Sequence, residues 1–487
     1  MARTSPRCAA STRARHPRRA PVRALLGAAL CLGLVALVST PALALSAGKL
    51  YVNSTTGSNT TNGNPNSCRL LANPCATISY ALTLAPPDAT ILVASGSYDE
   101  QLTITQNVTI DGAGAAGAGA TIIDPVAPVL ADTDTDSSTP QNYIVDVTSG
   151  AVANLKFLAV DGSAGSSFFT GCSADYVGVY FHDAGGTLNN VDVDNLQLPT
   201  AFQGCQDGLG VYVASDSGST SNVTMSTVSV QNYDKNGITC DDAGTTCTIS
   251  HTSVQGVGPT GVIAQNGIQV YGAAAATLSK DDVSQNTYTG GDTLATGLLL
   301  YDVGTLNVAS TTAFMNDDDI LAGQDASGSG DGTWTFSKDV LDQATDDTSS
   351  PSVGQGLGDG LALDSTTNVV TISGLKTFNN YEYGIALYGV SNATVTKSKT
   401  GDNADGIYVG GPGGTATTST GNTISSNIIT TNTVDGILAD TDSTGNTFLS
   451  NKLRNNVFYD LADLGTGNIW TTNSCTPAHD SNPAGLC

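Results

Sequence analysis

The residues with chemistry to offer recur in step with one repeated phrase. It reads Asn266-Gly267-Ile268-Gln269-Val270-Tyr271 and returns as Asn236-Gly237-Ile238-Thr239-Cys240-Asp241, Asp405-Gly406-Ile407-Tyr408-Val409-Gly410 and Asp435-Gly436-Ile437-Leu438-Ala439-Asp440. Glycines at 178, 208, 237, 267 and 297 are spaced 30, 29, 30 and 30 residues apart, and later ones fall at 360, 384, 406 and 436. Counted from each glycine, the fourth position reads His182, Tyr212, Asp241, Tyr271 and Tyr301, then Asp364, Tyr388, Gly410 and Asp440. Side chains alternate across a strand. The apolar first and third positions, such as Ile268 and Val270, are therefore expected inside, with the glycine and the second and fourth positions outside. The fourth column becomes an outward ladder of tyrosine rings interrupted by a histidine and aspartates. Ring faces suit the C–H surfaces of sugars, while hydroxyls and carboxylates suit sugar hydroxyls. Tyr212, Tyr271 and Tyr301 are the expected substrate-binding residues. The competing explanation is that tyrosine suits an exposed strand.

The catalytic candidates are Asp241, Asp242, Asp207 and His182. A hydrolase that inverts needs two carboxyl groups about 6.5–9.5 Å apart, and Asp207 on the preceding repeat is expected to face Asp241-Asp242. Phe181-His182-Asp183 could set an imidazole beside a carboxylate, as a general base requires; a lone surface histidine is the more common explanation. The residues before the glycines (Asp207, Asn236, Asn266, Asp359, Asp405, Asp435) form a second column. Asn-Gly and Asp-Gly are turn dipeptides, so this column is read as structural, its side chains bonded along the stack. Calcium is the cation its oxygen ligands would take. Asp241-Asp242 and Asp317-Asp318-Asp319 are the densest carboxylate runs, both expected at a solvated surface.

Fixed-period self-similarity of this kind means stacked supersecondary units. Within each repeat the phrase alternates with further short strands, such as Leu188–Val193, Val369–Ile372 and Asn422–Ile424. One helix is expected, over 76–85, where Ile78, Leu82 and Ala85 recur at i, i+4 and i+7 before Pro86-Pro87. It is placed to cover the open end of a stack. Asp319-Ile320-Leu321-Ala322-Gly323 fills the long gap before Gly360. Residues 131–141 read as an acidic side loop, and 471–487 as a C-terminal cap.

Residues 1–44 read as an export signal: seven arginines around an apolar run from Ala24 to Val38, then Ala42-Leu43-Ala44. A twin-arginine signal at Arg18-Arg19 and a lipoprotein cysteine at Cys31 fit poorly. The remainder, 45–487, holds 18 − 7 = 11 Lys+Arg against 43 Asp+Glu, a formal charge of −32. Such a surface repels nucleic acid and anionic membranes. Its eight cysteines suggest disulfides: the local pairs Cys68–Cys75, Cys240–Cys247 and Cys475–Cys487, leaving Cys172–Cys205. Zinc is disfavoured, because no Cys-x2-Cys spacing occurs.

Short strands without intervening helices, at a period of 22–30 residues, are similar to the right-handed parallel β-helix, or pectin-lyase-like, superfamily. The coil period, the Asn/Asp-Gly phrase and the N-terminal helix carry the resemblance over roughly residues 45–475. It implies an all-β fold of three strands per coil in about a dozen coils, with 45–125 forming the cap and first coils and 126–470 the repeats. The enzymes of that superfamily are matched only in fragments. Pectate lyases use an arginine beside calcium, whereas Arg69 and Arg454 lie near opposite ends of residues 45–487. Of the polygalacturonase motifs only Asp241-Asp242 is present, and of the pectin methylesterase motifs only the lead-in Gly96-Ser97-Tyr98-Asp99-Glu100. The expectation is a secreted, monomeric protein that binds, and as an enzyme would hydrolyse or epimerise, an extracellular polysaccharide. The alternative is a non-catalytic surface adhesin or structural rod.

Overall fold

The computed structural model describes residues 48–126, 131–132, 140–291, 293–324, 332–345, 358–411, 417–476 and 481–487. The expected export signal, 1–44, lies outside them, as does most of the acidic loop after Ala131. From Ala47 onward the chain is one compact unit built of parallel strands. The phrase strands pair in chain order from Leu102–Ile104 to Leu461–Asp463, thirteen in succession. At about 4.8 Å per rung this stack is about 60 Å long. The other two strands of each coil, for example Ala275–Ser279 and Asp282–Ser284, stack in the same way.

The inside of the stack is aliphatic because one branched side chain recurs at one position of every coil. Val179, Val211, Ile238, Ile268, Leu298, Ile320, Leu361, Ile385, Ile407, Ile437 and Leu461 are all fully buried. Each contributes about 1.5–3 kcal/mol of hydrophobic stabilisation. Asp319–Gly323 does fill the gap, since Leu298 pairs with Ile320 and Ile320 with Leu361.

Between the second and third strands the chain bends at one left-handed residue per coil. Lys280, Ser310, Lys338, Gly374, Lys397, Ser426 and Ser450 have φ between 56° and 73°. Buried polar side chains beside the bends bond from coil to coil. Asn427 Oδ1 accepts from Ser398 N at 2.9 Å, Asn451 Oδ1 from Asn427 N at 3.0 Å, and Asn473 Oδ1 from Asn451 N at 3.0 Å. A parallel ladder runs through Asn380, Asn403, Asn432 and Asn456.

The helix spans Ile78–Leu84, inside the expected 76–85. Thr77 caps it through Tyr80 N, and Glu100 accepts from Ile78 N and Ser79 N at 2.7 Å each. Its buried side chains are Ile78, Ala81 and Leu82. At the other end Trp470 stacks on Phe448, ring centroids 3.9 Å apart. All four expected disulfides are present.

Candidate functional site

The strand register revises the columns. Tyr180 pairs with Tyr212 and Tyr212 with Thr239, so the glycine equivalent to Gly178 and Gly237 is Gly210, not Gly208. Gly208 sits two residues earlier with φ 89°. The fourth column is therefore His182, Ala214, Asp241, Tyr271, Tyr301, Gly323, Asp364, Tyr388, Gly410 and Asp440. Tyr212 leaves the ladder: it lies 7% exposed, stacked on Tyr180 with centroids 5.1 Å apart. Tyr180 in turn stacks on His182 at 5.3 Å.

The glycines themselves point inward, against expectation. A Cβ on Gly267 would lie 2.3 Å from Val283 Cγ1 and 2.6 Å from Gly297 O. Glycine is required here by crowding inside the coil, and no positive φ is involved. The preceding residue faces out instead: Asn236 Nδ2 donates to Thr239 Oγ1 and to Gln269 Oε1. Along this column Asn266 Nδ2 donates to Asn236 Oδ1, and Thr296 Oγ1 to Asn266 Oδ1, which is the bonding expected along the stack.

Asp207 also leaves its expected place. It stands three residues before Gly210, as Asp175 does before Gly178 and Asp234 before Gly237. Its pKa is raised by burial first, then by the neighbouring Asp175 and Asp234 carboxyl groups. Burial also pushes Asp234 up to about 7. Asp207 and Asp241 lie at opposite ends of their strands, seven residues or ~20 Å apart along the strand direction, too far to serve one glycosidic bond.

His182 is 8% exposed, and its Nε2 lies 3.1 Å from Oδ1 of Asp216, from the next coil. Ligand atoms of His182, Asp183 and Asp216 lie within 4.8 Å of one another. The Asp317-Asp318-Asp319 run is buried, contrary to the solvated surface expected. Asp317 accepts from Tyr288 N and Ala295 N, Asp318 from Gly358 N and Asp359 N, and Asp319 from Asn316 Nδ2.

The outward face of the phrase sheet is closed at both ends. Tyr143, Val177, Tyr180, Leu209 and Tyr212 are buried together at one end, and Ala362, Ala386, Tyr388 and Tyr408 at the other. Between them Gln269, Leu299 and Leu321 form a partly exposed floor. Its edge is the fourth column: Asp241, Tyr271 (43% exposed) and Tyr301 on successive coils. The Cys240–Cys247 disulfide closes the turn that carries Asp241 and Asp242, and Asp242 N donates to Asp241 Oδ1 at 2.8 Å. Asp241, Asp242, Tyr271 and Tyr301 thus fall on three successive coils, with His182 two coils before Asp241 in the same column; Asp207 and Tyr212 lie outside that column.

Two features escaped the sequence reading. The pair Asp175–Asp207 was hidden by the two glycines at 208 and 210. The asparagine ladders were signalled by Asn422/427/432, Asn446/451/456 and Asn468/473, which recur at five-residue intervals within each coil.

Coils of three parallel strands define the class, and the chain has the fold of the right-handed parallel β-helix superfamily. Residues 352–478 match the family described as "Right handed beta helix region". No curated protein matches the chain. Solved structures that resemble it include the Dettilon tailspike protein (15% identity over 82% of this chain and 64% of that one, TM-score 0.43). Another is the GH136 lacto-N-biosidase from Eubacterium ramulus (11% identity, 88% and 67%, TM-score 0.45). A third is the A-module of the Azotobacter vinelandii mannuronan C-5 epimerase AlgE4 (13% identity, 83% and 92%, TM-score 0.42). The chain spans less than two thirds of the tailspike's length.

Proposed function

We propose that this is an exported protein that binds a polysaccharide across the open middle of the phrase face. The observation that carries the reading is Tyr271, 43% exposed directly after the strand Asn266–Val270, between Asp241 and Tyr301 on adjacent coils. A sugar ring laid on Tyr271 has a second aromatic ring and a carboxylate within one coil spacing, about 4.8 Å, on either side. Four disulfides fit an oxidising compartment, and among the described residues no helix is long and apolar enough to cross a membrane. Calcium has a place in this reading as a bridge between Asp241-Asp242 and an acidic sugar.

The test is a binding screen of residues 45–487 against neutral and acidic polysaccharides, with and without a calcium chelator, alongside mass spectrometry of the supernatants. Retention on a glycan that Tyr271→Ala/Tyr301→Ala weakens by about tenfold or more is the expected result. Released oligosaccharides that disappear in Asp241→Asn or Asp242→Asn would add catalysis to binding. Absence of binding across the panel sinks the reading in favour of a structural rod.

A further inference from the structure

Basic residues are scarce in this protein and unevenly placed. Of the eleven Lys+Arg in 45–487, seven lie on one face: Lys280, Lys338, Lys376, Lys397, Lys399, Lys452 and Arg454. That face is the outer side of the third strands together with the left-handed bends leading into them. Lys376 pairs in register with Lys399, Lys399 with Ile428, and Ile428 with Lys452. Arg454 stands two residues beyond Lys452 on the same strand. Lys280, Lys338 and Lys397 occupy the bend at every second coil, each at positive φ.

All seven are exposed, and among the described residues none makes an ion pair or a side-chain hydrogen bond. Lys376 above Lys399, about 4.8 Å apart in the ladder, is a like-charge pairing that costs stability. A surface of formal charge −32 offers many carboxylates, yet among the described residues these basic side chains have none in contact. On the coils from Lys280 to Arg454 the acids of this face are few: Asp282, Asp342 and Asp402, of which Asp342 is already held by Asn379 Nδ2 and Gln343 Nε2, while Asp161, Asp192 and Asp194 stand on its first coils. A cleft of about 370 Å³ opens at the C-terminal end, between Ile428, Thr430, Lys452, Arg454 and Ser474. Phe314 and Phe378 lie half-buried on the same face, and Ile428 is 40% exposed.

We propose that this face is a second binding surface, and that its occupant is an anionic polysaccharide lying along the stack. Charge complementarity selects a polyanion, because repeated negative groups relieve the repulsion between stacked lysines. The phenylalanine rings and Ile428 select a polymer with apolar sugar faces. The rest of the protein is strongly acidic, which steers a polyanion away from every other face and toward this one. The surface stands independently of the phrase face, since it lies on a different sheet and uses none of its residues.

The test measures binding of residues 45–487 to polygalacturonate at low and high salt. Binding at low salt that weakens steeply with added salt is expected. Lys376→Glu/Lys399→Glu/Lys452→Glu should weaken it by about tenfold or more, and Tyr271→Ala/Tyr301→Ala should leave it unchanged. Should the charge-reversed protein fail to fold, the same three positions changed to Gln carry the test, with an unchanged circular dichroism spectrum as control. No binding at low salt, or equal affinity in the substituted protein, overturns the proposal. So does equal retention of a neutral polysaccharide, or preference for single-stranded nucleic acid over polygalacturonate at matched charge.

Discussion

The hydroxyl of Tyr388 donates to Oδ2 of Asp359 at 2.9 Å, across one coil and out of contact with solvent. Burial first, and Glu382 second, raise the pKa of that carboxyl group. The pattern repeats along the molecule: burial pushes Asp281, Asp339 and Asp405 up to about 7, as it does Asp234. A carboxyl group whose folded pKa exceeds its unfolded value of 3.8 keeps its proton to higher pH in the folded state than in the unfolded one. Its contribution to stability is complete below about pH 4 and is lost as pH rises through about 7. The protein should therefore melt at a higher temperature at pH 5.5 than at pH 9. A melting temperature that climbs across that range would contradict the assignment of buried, protonated aspartates.

The asparagine ladders predict where single substitutions will be costly. Asn403 Oδ1 accepts from both N and Nδ2 of Asn380, at 3.1 and 3.0 Å, while its own Nδ2 reaches Asn432 Oδ1. Asn403→Ala strands two donors in a dry interior and should cost roughly 2–3 kcal/mol. The urea midpoint should fall accordingly, with the slope of the transition unchanged. A midpoint equal to wild type would show that the ladder adds little.

Gly267→Ala tests the crowding inside the coil. The added methyl meets Val283 Cγ1 at 2.3 Å and a carbonyl of the next coil at 2.6 Å, and the backbone on both sides is held by ladder bonds. Overpacking of this kind costs about 1–3 kcal/mol. Gly119→Ala is the comparison, since nothing lies within 4 Å of its Cβ and its φ is not positive. Calorimetry should show a lower melting temperature for the first and no shift for the second.

The coil period, the helix Ile78–Leu84 and the four disulfides were legible in the sequence because each depends on local or evenly repeated features. The register was not. Asp207-Gly208-Leu209-Gly210 offers two glycines, and only the contacts of Tyr212 with Tyr180 and Thr239 show which one is equivalent to Gly237. A slip of two residues keeps inward and outward faces unchanged, so the apolar pattern alone could not expose the error. It nevertheless moved Tyr212 into a ladder it does not join and Asp207 away from Asp175. The burial of Asp317-Asp318-Asp319 was hidden for a different reason: their partners are mainly backbone N–H groups of residues 288, 295, 358 and 359, distant in sequence.

The same register separates two kinds of tyrosine, and with them two outcomes. Tyr271 stands 43% exposed in the fourth column, while Tyr212 is 7% exposed beneath the Tyr180 ring. Truncating Tyr271 and Tyr301 to Ala removes ring faces that sugars would stack upon. Each such contact is worth about 0.5–1.5 kcal/mol, so the double substitution should weaken glycan binding by about tenfold or more with little change in melting temperature. Tyr212→Ala opens a cavity among Tyr143, Tyr180 and Leu209 and should lower stability by about 3–5 kcal/mol, with binding by the folded fraction retained. Affinity electrophoresis read beside differential scanning calorimetry distinguishes the two. If Tyr212→Ala abolished binding in a fully folded protein while Tyr271→Ala did not, the site would lie at the His182 end of the face and not at its open middle.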